Sequence, residues 1–146
     1  MTVYAGDPIY AADVNAFEAT STTTTTASST FTTTETEVIS HTHTLIDGRK
    51  YEITATGSFK STVAGDSALG RIRLTDTSGT VLAAEQTYIP TTSGSGYGFA
   101  IRGEYTAGAD GDQEFILSGQ RNLGTGNVSL QASSTQPATL SVRLMA

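Results

Sequence analysis

The two histidines of this chain stand close together, in Ser40-His41-Thr42-His43-Thr44. On a β-strand, residues i and i+2 point to the same face. Both rings, His41 and His43, could therefore reach one metal ion. Two ligands are too few for a tight site, whereas three copies of the pair around a threefold axis would fill an octahedral shell. The plainer reading is a polar strand face with two solvated rings. Asp110, Asp112 and Glu114 alternate along the segment from Gly108 to Glu114. Calcium accepts clustered carboxylates, but the EF-hand pattern is absent and Asp-Gly is first a turn signal. A Ser–His–Asp hydrolase would need a Gly-x-Ser-x-Gly elbow leading into a helix, and none is present. Gly94-Ser95-Gly96 lies between strands instead. A glycosidase carboxylate pair is defined by a separation that spacing in sequence does not give, and the acids here fall mostly at turns and outward positions. Asn127-Val128-Ser129 matches a glycosylation acceptor only formally. Arg71, Arg73, Arg102 and Arg121 are isolated strand arginines. They read as solvated or salt-bridged, with subunit contact as the alternative. The expectation is a non-enzymatic chain with no catalytic residue, no cofactor, and no metal candidate beyond His41 and His43.

The totals narrow the classes further. A chain of 146 residues fits one domain with a short appendage. Charged residues are 15% and apolar residues 37%, both low for a globular domain. Thr, Ser, Gly and Ala make up the difference, which suits short strands with small polar outer faces. The net charge of −6 and only eight Lys and Arg, none in a run, argue against a nucleic-acid partner. With no Cys there is no disulfide, thiolate metal site or Cys nucleophile. The opening residues lack the basic and apolar regions of a secretory signal. No apolar run approaches the roughly 18 residues of a membrane span. The chain is expected to be made in a cytoplasm.

The elements that must position these residues are strands. Tyr51, Ile53, Ala55, Gly57 and Phe59 alternate with polar residues, as do Ile72 and Leu74, Val81 and Ala83, and the run Tyr97, Phe99, Ile101, Gly103, Tyr105. Phe115 with Leu117, Val128 with Leu130, and Leu140, Val142, Leu144 continue the pattern. Turn chemistry separates them at Ile46-Asp47-Gly48, Ala64-Gly65-Asp66, Ser93-Gly94-Ser95-Gly96, Gly108-Ala109-Asp110-Gly111 and Leu123-Gly124-Thr125-Gly126. With no helix between them the strands must be antiparallel. The spacing predicts an all-β, two-sheet β-sandwich of about eight strands over 37–146, jelly-roll-like in topology. Its expected core is Ile53, Phe59, Ile72, Leu74, Phe99, Ile101, Leu117, Leu130 and Val142.

Ahead of it lie two further segments. Residues 20–36 are Thr-rich and read equally as an extended linker or an edge strand up to 29, with strand favoured from about Phe31. Residues 1–19 concentrate Tyr4, Pro8, Ile9, Tyr10, Val14 and Phe17. Tyr10, Val14 and Phe17 fall at i, i+4 and i+7, one face of a short helix. Such a helix is too short to stand alone in water, so it must pack on something: on a partner, as a docking arm with these six apolar residues as the interface, or on the chain's own domain, with Tyr10, Val14 and Phe17 capping an open end of the sandwich.

Residues 4–18, YAGDPIYAADVNAFE, resemble the opening of many structural proteins of tailed phages. YEITATGSF, RIRLTDTSGTVLA and ATLSVRLMA are similar to the β-sandwich heads of phage tail-fibre and head-decoration proteins. The resemblance implies a virion protein at the particle surface, commonly a homotrimer, bound to the major capsid protein or to tail components, and it brings no active-site residues. A capsid decoration protein is the first expectation, since no fibre shaft repeats occur. A small tail-fibre or baseplate subunit with a host-receptor-binding sandwich, a host surface glycan being one receptor it would take, is the alternative. A bacterial carbohydrate-binding module is the third; Tyr88, Tyr97 and Tyr105 would be its platform.

Overall fold

The computed structural model describes residues 19–92 and 96–145. The expected helix at 10–17 and the six interface residues from Tyr4 to Phe17 lie outside the described residues. Among the described residues nine strands form: β1 (Thr20–Thr24), β2 (Thr36–Leu45), β3 (Lys50–Ser61), β4 (Asp66–Leu74), β5 (Val81–Ile89), β6 (Tyr97–Thr106), β7 (Gly111–Leu123), β8 (Val128–Gln131) and β9 (Ala138–Leu144). Every pairing is antiparallel. One sheet runs β1-β9-β3-β6, with β8 pairing the far end of β3; the other runs β2-β7-β4-β5. β8 and β9 pair consecutive stretches of β3, at Ser58–Ser61 and Tyr51–Thr56, so they act as one interrupted strand. The chain is thus a long ribbon folded back on itself. β4 pairs β5 at its tip, β3 pairs β6, β2 pairs β7, and β1 pairs β9 at its open end. Winding that ribbon on itself separates it into two facing sheets.

The alternation read from sequence decides what faces inward. Ile53, Phe59, Ile72, Phe99, Ile101, Leu117, Leu130 and Val142 are all buried. Leu74 is only partly buried, because it ends β4 where the chain leaves the sheet for a turn. Phe59 is at the centre. Its ring stacks on Phe99 at 4.6 Å between centroids and meets Phe31 edge-to-face at 6.0 Å. Phe31 enters this core because residue 119 is glycine: a Cβ there would lie 2.5 Å from the Phe31 ring.

The Thr-rich stretch divides. Thr20–Thr24 forms the edge strand β1 on β9, in register from Thr20↔Val142 to Thr24↔Ala138. Residues 25–35 are irregular, so the strand expected from Phe31 does not begin until Thr36. Phe31 itself makes a single bridge to Val128. The physical reason is its role as an anchor: its backbone turns to place the ring in the core rather than to extend a ladder.

Candidate functional site

His41 and His43 are not on a solvated face. They share the parity of Ile39 and Leu45, both buried, so they belong to the inward stripe of β2. Opposite them stands the inward stripe of β1, Thr20, Thr22 and Thr24, from the other sheet. Thr20 Oγ1 lies 2.8 Å from His41 Nε2 and 2.6 Å from His43 Nδ1. Thr22 Oγ1 lies 3.0 Å from His41 Nδ1. The ring of His43 meets Tyr51 in a T-shaped contact at 5.4 Å. The edge of the sandwich between β1 and β2 is therefore closed by a polar chain, Thr22–His41–Thr20–His43. Burial holds the pKa of His41 below the usual histidine range, and burial together with the neighbouring His41 does the same for His43. Three imidazole nitrogens face threonine hydroxyls. Among the described residues no three His, Asp or Glu side chains gather as metal ligands.

The other expected candidates scatter. Asp110 Oδ1 accepts from the backbone N–H of Asp47 at 2.7 Å, and Asp112 Oδ1 accepts from Thr44 Oγ1 at 2.6 Å. Both carboxylates tie the start of β7 and the turn before it to the end of β2 and the turn after it, which is the turn role. Beside them a shallow pocket of about 220 Å³ is lined by Leu45, Tyr105 and residues 108–113. Tyr97 and Tyr105 lie on the core-facing stripe of β6 and are half-buried, while Tyr88 is 62% exposed on the other sheet. The three tyrosines share no face, so the expected carbohydrate platform does not form.

The arginines are paired. Arg73 clasps Glu35 through both carboxylate oxygens, at 2.7 and 2.8 Å, and Arg71 reaches the same carboxylate at 2.8 Å. Ser118 also donates to it. Burial alone would raise the pKa of Glu35, but the hydrogen bonds from Arg73 and Ser118 and both guanidinium charges outweigh it and hold the pKa low. This cluster fastens the 25–35 segment to the outer face of β4 and β7. On the other sheet, Glu52 is buried between Arg143, whose Nε donates to Oε1 at 2.6 Å, and Arg102, which pairs with Oε2. Arg121 donates to the Gly126 carbonyl.

One buried structural carboxylate went unseen in the sequence. Asp66 is 1% exposed. Ser61 Oγ donates to it at 2.5 Å, and the backbone N–H groups of Thr125 and Gly126 donate at 3.0 Å each. Gly124 adopts φ +99°, and a Cβ there would collide with the carboxylate. Asp66 thus joins two turns that look independent in sequence. Burial would raise its pKa, but these three hydrogen bonds and the charge of Arg121 hold it below the usual range.

No protein-family model and no curated protein sequence matches the chain. Two solved structures similar in chain path are the infectious bursal disease virus VP2 subviral particle, at 10% identity and a TM-score of 0.45 over 88% of this chain, and the Gx strain of the same virus, at 12% identity and 0.37 over 86%. The chain spans 38% and 37% of the lengths of those two chains.

Proposed function

We propose that this chain is a non-enzymatic virion structural protein, a capsid decoration protein of a tailed phage that docks through residues 1–19 and presents its sandwich outward. The observation that carries the reading is where the arm joins the fold. Among the described residues the core is built from side chains between Phe31 and Val142, and in sequence residues 1–19 lead directly into β1, an edge strand of the described sheet. An apolar segment entering at an edge, ahead of a domain with its own core, is suited to burying Tyr10, Val14 and Phe17 against a partner. The ribbon winding, 1-8-3-6 and 2-7-4-5 when β8 and β9 count as one strand, is that of a jelly roll, an architecture used by capsid and lectin domains among others. That is an argument from architecture. The polar clusters support it from the chemical side, since each is closed on partners that hold turns, strands and sheets together.

The test is binding to particles that lack the protein. The full chain binds, whereas a 20–146 variant keeps its β-type circular dichroism and melting temperature but loses binding. A variant that melts far lower while its folded fraction still binds places residues 1–19 in the core and sinks the reading. Label on heads in immunogold images supports decoration, and label on tail tips supports the tail-subunit alternative.

The resemblance also implies a homotrimer. Sedimentation equilibrium at micromolar concentration is expected to return three times the 15.2 kDa chain mass. A clean monomer, with no symmetric contacts on the particle, removes that part of the reading.

A further inference from the structure

We infer that the chain Thr22–His41–Thr20–His43 is an acid-released latch that holds β1 in the sandwich. A hydroxyl has one proton, so Thr20 Oγ1 donates to one imidazole while it accepts from the other. With both rings neutral every link is made: Thr22 donates to His41 Nδ1, His41 Nε2–H donates to Thr20, and Thr20 donates to His43 Nδ1. A first added proton fits. His41 then donates from both nitrogens, and Thr22 turns to accept. A second proton is disfavoured. His43 Nδ1 becomes a donor as well, so Thr20 Oγ1 must accept from both rings and turn its own proton away, and two cationic rings are left with centroids 6.4 Å apart.

Among the described residues the surroundings offer no compensation. From β1 the facing groups are Thr20 and Thr22. From β3 it is Tyr51, whose hydroxyl accepts from the Ile46 N–H. From β9 it is the apolar stripe of Leu140, Val142 and Leu144. On β7 the partners in register are Phe115 and Gln113, and the carboxylates Asp112 and Glu114 alternate onto the other face. No carboxylate faces the pair from these strands.

β1 is the element that should yield. It is a strand of five residues, at the edge of its sheet and laddered only to β9 among the described residues. Its inward stripe is three threonines with no apolar side chain, so the histidine links are its side-chain hold on the opposite sheet. Both histidines titrate below their unfolded value of about 6.5. The folded state thus disfavours their protonation. The latch contributes fully above about pH 6.5, and its contribution is lost as pH falls from there through the lower folded pKa values.

Hydrogen exchange of the full chain, corrected for intrinsic rate, tests this at pH 7.5 and 5.0. Protection over residues 20–24 is expected to fall at least tenfold at pH 5.0 while residues 50–61 keep theirs. In H41Q/H43Q the fall disappears. Equal protection of β1 at both pH values overturns the latch. So does a fall shared by β3, or one that persists in the double variant. If that variant does not fold, NMR titration of the unmodified protein decides. Coincident midpoints for the His43 ring and the β1 amides support the latch, and separate midpoints overturn it.

Discussion

Phe59→Ala is expected to lower stability by about 3–5 kcal/mol, the range for emptying a fully buried aromatic site. Phe59 is completely buried. It links both sheets and the irregular segment at once, stacked on Phe99 of β6, edge-on to Phe31, and within reach of Gly70 on β4. Its neighbours cannot collapse into the gap easily, because β3 is laddered on both sides, to β6 and to β8 and β9. Domains of this kind have about 5–15 kcal/mol in total, so the variant should sit near the edge of folding. Urea titration reads the effect as a shift in midpoint at unchanged slope. A loss under about 1 kcal/mol would mean that the ring is not at the centre of the core.

Asp66→Ala is the second large effect, at about 3 kcal/mol, because hydrogen bonds to a charged group contribute about 1.5–3 kcal/mol and orphaned buried donors cost more. The variant deprives Ser61, Thr125 and Gly126 of their acceptor. The wild type should also carry a pH signature. The Asp66 pKa is depressed in the fold, so its stabilisation is complete above the unfolded value of about 3.9 and is lost as pH falls through the lower folded value. Urea midpoints measured from pH 7 to pH 2.5 should therefore drop more steeply in the wild type than in the variant. Parallel profiles would show that the carboxylate is not the group responsible.

Much of this was readable from the residues. Alternation alone marks the inward stripes of β3, β6 and β9. The turn glycines Gly48, Gly65, Gly96, Gly111 and Gly124 all take positive φ, at the five places where turn chemistry was expected. The orientation of the histidines was also within reach: Ile39 and Leu45 share their parity, and two apolar residues flanking two polar ones on one stripe point inward. What hid was every feature that depends on distant pairing. The meeting of Asp66 with the turn at 124–126, of Glu35 with Arg71 and Arg73, and of Thr20 with the histidines each needs strand order, which local periodicity does not contain. The arm resists for another reason, since the segment's partner is proposed to be another molecule.

The ladder between β1 and β9 has a consequence for how the protein is born. Thr20 pairs with Val142, so β1 leaves the ribosome more than a hundred residues before its partner and must wait for it. Until β9 emerges, β3 lacks its partner along Tyr51–Thr56 on that side, and β1 lacks its ladder to β9. Translation at about 5–20 residues per second leaves such edges open for seconds, as long as many all-β domains take to fold. Nascent chains on one crowded message would meet with matching edges exposed. The threonines of β1 suit that interval: they keep an early, unpaired strand hydrophilic until its partner arrives.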